Sequence, residues 1–275
     1  MERTVRAAAT PTPEPLPAGD VAALLDGVPR QRGPVAAPAP ETARPALRPY
    51  LWRPMARRLL PWRLLPTPTG TPVTFAYTAI LALTSLFASY ASPGLLDTLY
   101  QDSSTDVAHL LRTPVFVLLA SALWIAGGLL SPFALAFVLV LTALERRIGG
   151  ARAILVFLTG HVLATLATEI PVGLAVLVGR LPDTSLHRLD YGISFGVAAS
   201  IGALSGLLAP WLRWPLLALV GYSLVTDLIA FQDPMTDWGH LIALAIGTGL
   251  WPVVRRWRRE RAQDPAQDPA LAVAA

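Results

Sequence analysis

Six apolar runs, at about 73–92, 129–147, 151–171, 191–210, 214–231 and 238–254, approach the roughly 20 residues that a helix needs to cross a hydrocarbon core about 30 Å thick. That leaves few folds. In lipid every backbone N–H and C=O must be satisfied within its own segment, so the runs predict helices and the expected fold class is all-α, a polytopic six-helix bundle. Composition agrees, with 53% hydrophobic and 15% charged residues over 275 positions, where a soluble chain carries about a quarter charged. Cysteine is absent, which removes disulfides and thiolate metal sites.

An additional apolar stretch, 114–128, adjoins the second run, and charge decides how it is read. If it is half-inserted and not a span, then Arg146, Arg147, Arg152, Arg213 and the cluster from Arg255 to Arg261 share one side with the Arg-rich N-terminal region. The other side keeps Arg112, Arg180 and Arg188 among many aspartates. The positive-inside rule then makes both termini cytoplasmic, and the expected location is the plasma membrane. Residues 1–66 hold 13 of the 26 prolines and ten arginines, the composition of a disordered cytoplasmic tail without a signal-peptide core. Within it Tyr50–Leu65 interleaves Trp52, Leu59 and Trp62 with arginines, so it is expected to lie on anionic lipid. The expected domains are this tail, a membrane domain over 67–254 and a basic cytoplasmic tail over 255–275.

The polar residues inside apolar runs are the functional candidates, because burying them costs free energy without a partner. Ser194 and His240 stand near the outer mouths of helices four and six, at matching depth, and Ser-His is a minimal nucleophile and base pair. Serine also suits the small-residue seam Gly192-x-x-x-Gly196, and a lone histidine is by default a packing residue. His161, near the midplane of helix three with Thr165 and Thr168 beyond it, reads as a hydrogen-bonded structural histidine, with a proton relay as the alternative. Asp227, near the outer end of helix five, either orients His240 or serves packing and the outer water. No metal site has ligand spacing, no loop cradles a cofactor, and juxtamembrane arginine argues for lipid and not nucleic acid.

Four features resemble the rhomboid superfamily, six-helix intramembrane serine proteases and their inactive relatives. Leu144-Glu145-Arg146-Arg147-Ile148-Gly149-Gly150 with Arg152 is similar to the family's LExxxGxxR turn, Gly192-Ile193-Ser194 to the start of its GxSG element, and Gly239-His240 with Ala243 and Gly247 to its helix-six histidine face. The segment 114–128 stands where the family has a membrane-embedded first loop. The resemblance implies Ser194 as nucleophile, His240 as base and helix-four N–H groups, at Gly192 to Phe195, as the oxyanion site. It implies that Glu145 accepts hydrogen bonds from an arginine or nearby N–H groups, pinning helix two to helix three. Phe195 replaces the family's glycine, the HxxxN of helix two is absent, and Ala198 stands where an aromatic faces the histidine. Two functions follow: an endopeptidase cleaving transmembrane substrates, or a catalytically inactive relative that binds membrane helices as clients.

Overall fold

The computed structural model describes residues 65–263. The expected N-terminal tail up to residue 64, with nearly all of the Tyr50–Leu65 stretch, and residues 264–275 lie outside the described residues. Helices follow one another as α1 (Pro72–Tyr90), α2 (Pro93–Asp102), α3 (Val107–Arg112), α4 (Pro114–Ser121), α5 (Pro132–Ile148), α6 (Gly150–Leu177), a 3-10 turn (Asp183–His187), α7 (Ser194–Ser205), α8 (Pro210–Ala230), α9 (Pro234–Gly249) and α10 (Trp251–Gln263). Proline opens α1, α2, α4, α5, α8 and α9, where its missing N–H and fixed φ cost nothing. Side-chain caps follow the same logic: Ser92, Asp106, Ser131 and Asp233 accept the N–H three residues on.

The protein is polytopic and its described residues form helices without strands, and α1, α5, α6, α7, α8 and α9 all contribute to one core around α7. Leu81, Phe137, Phe157, Val197, Leu224 and Leu244 meet there, one from each helix. Small residues let backbones touch: a Cβ on Gly202 would lie 2.5 Å from the Leu244 carbonyl oxygen and 2.9 Å from the Thr248 nitrogen. Such close approach is how helices associate where lipid supplies no hydrophobic drive.

α1, α6 and α8 are each long and apolar enough to cross a membrane. α7 has 12 residues, about 18 Å, so the run expected over 191–210 forms this helix only over 194–205 and gives its last residue, Pro210, to α8. Beside α7, Gly192, Ile193, Gly206 and Leu207 are buried in protein, where backbone need not be helical. At its C-terminus the carbonyls of Ser205, Gly206 and Leu207 accept from Arg213, Arg255 and Arg258 at 2.9, 3.0 and 3.1 Å. Cations belong on those orphan carbonyls. The basic segment expected as a tail from 255 therefore starts as α10, with Val254 fully buried.

The 114–128 stretch holds only the eight-residue α4, too short to span. Its irregular backbone is satisfied from all sides: Tyr77 donates to the Ala122 carbonyl at 2.7 Å, Thr84 to Leu123 at 2.7 Å, and the Gly192 N–H to Ser121 at 3.0 Å. Non-helical backbone beside membrane helices is tolerated on that condition.

Candidate functional site at the mouth of α7

The loop before α7 is tied to the α2–α3 connection. Thr105 donates its N–H and hydroxyl to the Asp190 carbonyl at 2.8 and 3.0 Å, and the Asp190 N–H donates to Ser104 Oγ at 3.0 Å. Gly192 then turns the chain with φ 122°, a left-handed value that favours glycine. Ser194 follows as the first residue of α7, half-buried, with no side-chain cap on the helix. The first backbone bond into α7 runs from Val197 to Ile193, so the N–H groups of Ser194, Phe195 and Gly196 have no intrahelical acceptor.

His240 lies on α9 directly after Gly239. The Phe195 ring occupies the space where a Cβ on Gly239 would sit, so Ser194 and His240 flank one tight helix contact. They form no hydrogen bond to each other, and His240 Nε2 has no partner among the described residues. Two phenyl rings hold the imidazole instead: Phe133 stacks on it at 4.9 Å and 19°, and Phe195 meets it edge-on at 5.2 Å and 78°. Phe133 is the second residue of helix two in the bundle, α5, so that helix supplies the aromatic face which Ala198 does not. Asp227 is exposed on α8 and makes no hydrogen bond to His240, so the geometry does not join it to the pair.

His161 takes the structural position. Its Nε2 lies 3.1 Å from both Ser121 Oγ and the Leu118 carbonyl oxygen, which fastens α6 to α4. Glu145 and Arg152 both differ from expectation. Glu145 accepts from the Val73 and Thr74 N–H groups at 3.1 and 2.7 Å and from Thr74 Oγ1 at 2.6 Å. It therefore pins helix two to helix one, not to helix three, because the start of α1 offers unpaired N–H donors and Thr71 is turned back to Thr67. Arg152 reaches α10 instead, bonding Glu260 at 2.8 Å and the Trp257 carbonyl at 3.1 Å.

One polar cluster has no motif in the sequence. Arg188 bonds Glu169 at 2.5 Å and lies 3.5 Å from both Asp190 and Asp233. Burial alone would lower the Arg188 pKa, but the carboxylates of Asp190 and Glu169 outweigh it and hold it above its ordinary value. Burial pushes the Asp190 carboxyl above the ordinary carboxylate range, against the pull of Arg188 and Thr105. The available signal was Glu169 itself, an acid inside an apolar helix, with Arg188 one of few cations on its side.

A family model described as rhomboid-like protein matches residues 69–260. No curated protein and no solved structure matches the chain.

Proposed function

The chain belongs to the rhomboid-like family of membrane proteins, and we propose that it is a non-catalytic member that binds membrane helices as clients. It sits in this proposal in the plasma membrane with both termini cytoplasmic and arginine-rich flanks on anionic lipid. One observation carries the reading. Where hydrolysis needs a base bonded to its nucleophile and donors aimed at a developing oxyanion, the base is packed between Phe133 and Phe195 and Ser194 does not reach it. Rings give no hydrogen bond to an oxyanion, and removing one such donor typically costs about 10²–10³ in rate.

The competing reading, an intramembrane serine endopeptidase acting through Ser194 and His240, draws on two facts: among the described residues the N–H groups at the start of α7 and His240 Nε2 have no hydrogen-bond partner. A fluorophosphonate probe separates the two. Purified protein should show no labelling that depends on Ser194, while the double variant Phe133→Asn with Phe195→Gly should gain it if the rings are the block. Labelling of the native protein that vanishes in both Ser194→Ala and His240→Ala overturns the non-catalytic reading.

A further inference from the structure

α6 has 28 residues, about 42 Å at 1.5 Å per residue, against a core of about 30 Å. Its first residue packs on Val73 at the start of α1, so a core measured from there ends about 20 residues later, near Ile170. Charge marks the same level: Glu169 meets Arg188, which also faces Asp190 and Asp233. With α6 along the membrane normal, its last two turns stand beyond the hydrocarbon, alongside α3. Between them runs a groove of about 500 Å³, lined by Val107, Leu110, Leu111, Ile170, Leu174 and Leu177 with Glu169 in its wall. Leu111 and Leu177 are each 81% exposed. The groove thus crosses the hydrocarbon edge, with Leu166 below it and Leu177 above it, and an apolar groove with a carboxylate in its wall suits a membrane helix leaving the bilayer.

Two further observations say what the contact must bring. Glu169 is 1% exposed, yet its Oε2 has no hydrogen-bond partner among the described residues. Among the described residues the carboxylates of Asp106, Glu169, Asp190 and Asp233 share one guanidinium, Arg188, and one imidazole, His109. The cluster is short of a cation. We propose that this groove receives the outer juxtamembrane segment of a partner's membrane helix, its apolar residues against Leu111 and Leu174 and an Arg or Lys donating to Glu169. The proposal deepens the client-binding reading and rests on it.

The test uses the full chain in phosphatidylglycerol vesicles with a labelled Leu/Ala transmembrane peptide, ending outside in Leu-Leu-Arg or in Leu-Leu-Gln, and reads binding by energy transfer. The Arg peptide should bind at least about tenfold more tightly, as a charge-assisted bond to a buried carboxylate implies. Glu169→Gln should erase the difference, and Leu111→Glu with Leu174→Glu, both at exposed positions, should weaken both peptides with the melting temperature unchanged. Equal binding of the two peptides, or indifference to the groove variants, overturns the proposal. So does displacement of the peptide by added phosphatidylethanolamine alone, which would make the occupant a lipid amine. Cleavage of the peptide that Ser194→Ala abolishes would instead sink the non-catalytic reading and leave the groove result standing, so the two failures are distinguishable.

Discussion

Glu145, in the last turn of α5, caps the first turn of α1 from 71 residues along the chain: its Oε2 accepts both the N–H and the hydroxyl of Thr74, at 2.7 and 2.6 Å. The start of α1 has unpaired donors and a positive dipole end, and a carboxylate brought from another helix satisfies both. Gly150 completes the corner, since a Cβ there would lie 2.8 Å from Glu145 Oε1.

Glu145→Ala should therefore loosen α1 from the bundle. Three donors at a buried site lose their acceptor, and the expected cost is about 1–3 kcal/mol, as for a buried charge-assisted contact. Glu145→Gln, which keeps an acceptor, should cost less. Thermal unfolding in detergent measures both, and an unchanged melting curve for the alanine variant would show that the cap is idle.

The contact between Phe195 and Gly239 makes a second prediction. A methyl at 239 overlaps the phenyl ring, so Gly239→Ala should destabilise by about 1–3 kcal/mol through overpacking. Phe195→Ala alone leaves a cavity in a seam lined by Ala164, Ala199 and Ala243. The two together should cost less than their sum by at least about 0.5 kcal/mol, because each relieves the other. Strict additivity would mean that the ring does not rest on Gly239.

Periodic and additive features were legible in the sequence, and relational ones were not. Apolar runs located α1, α5, α6, α8 and α9 because helix formation in lipid is a property of the segment alone. The start of α7 is not legible, since Gly192 and the Asp190 clamp owe their geometry to Ser104, Thr105 and Ser121 far back in the chain. Glu145 is legible as a hydrogen-bonding hub, yet its partner helix is not, because nothing local to the turn says which N-terminus will lie opposite. Phe133 was invisible for the same reason: a phenylalanine in an apolar run carries no mark until packing sets it against His240.

Sidedness rests on the arginines and can be measured directly. Reporter fusions after Arg180 should read as external and after Arg213 as internal, because only that arrangement keeps the arginine-rich juxtamembrane segments together on one side. The cap of α7 by Arg213, Arg255 and Arg258 requires these three residues at one end of the bundle, so a C-terminal reporter should share the side of the Arg213 fusion. An external C-terminus with an internal Arg213 fusion would contradict the orientation.

Asp190 gives the protein a pH dependence with a definite sign. Its folded pKa stands above its unfolded value, chiefly through burial. The stability that the neutral carboxyl contributes is thus fully present below the ordinary aspartate range and is lost as pH rises through the folded value. Arg188, held above its own ordinary value, stays charged throughout and adds no slope. Asp190→Asn keeps an oxygen for the Thr105 hydroxyl but cannot ionise. Its melting temperature should gain on that of the wild type as pH rises from about 4 to 7, by roughly 2–4 °C if the ionisation costs on the order of 1 kcal/mol. Curves that stay parallel would show Asp190 to be solvated enough to titrate normally, and a wild type that gains on the variant would show the pairing with Arg188 to outweigh burial.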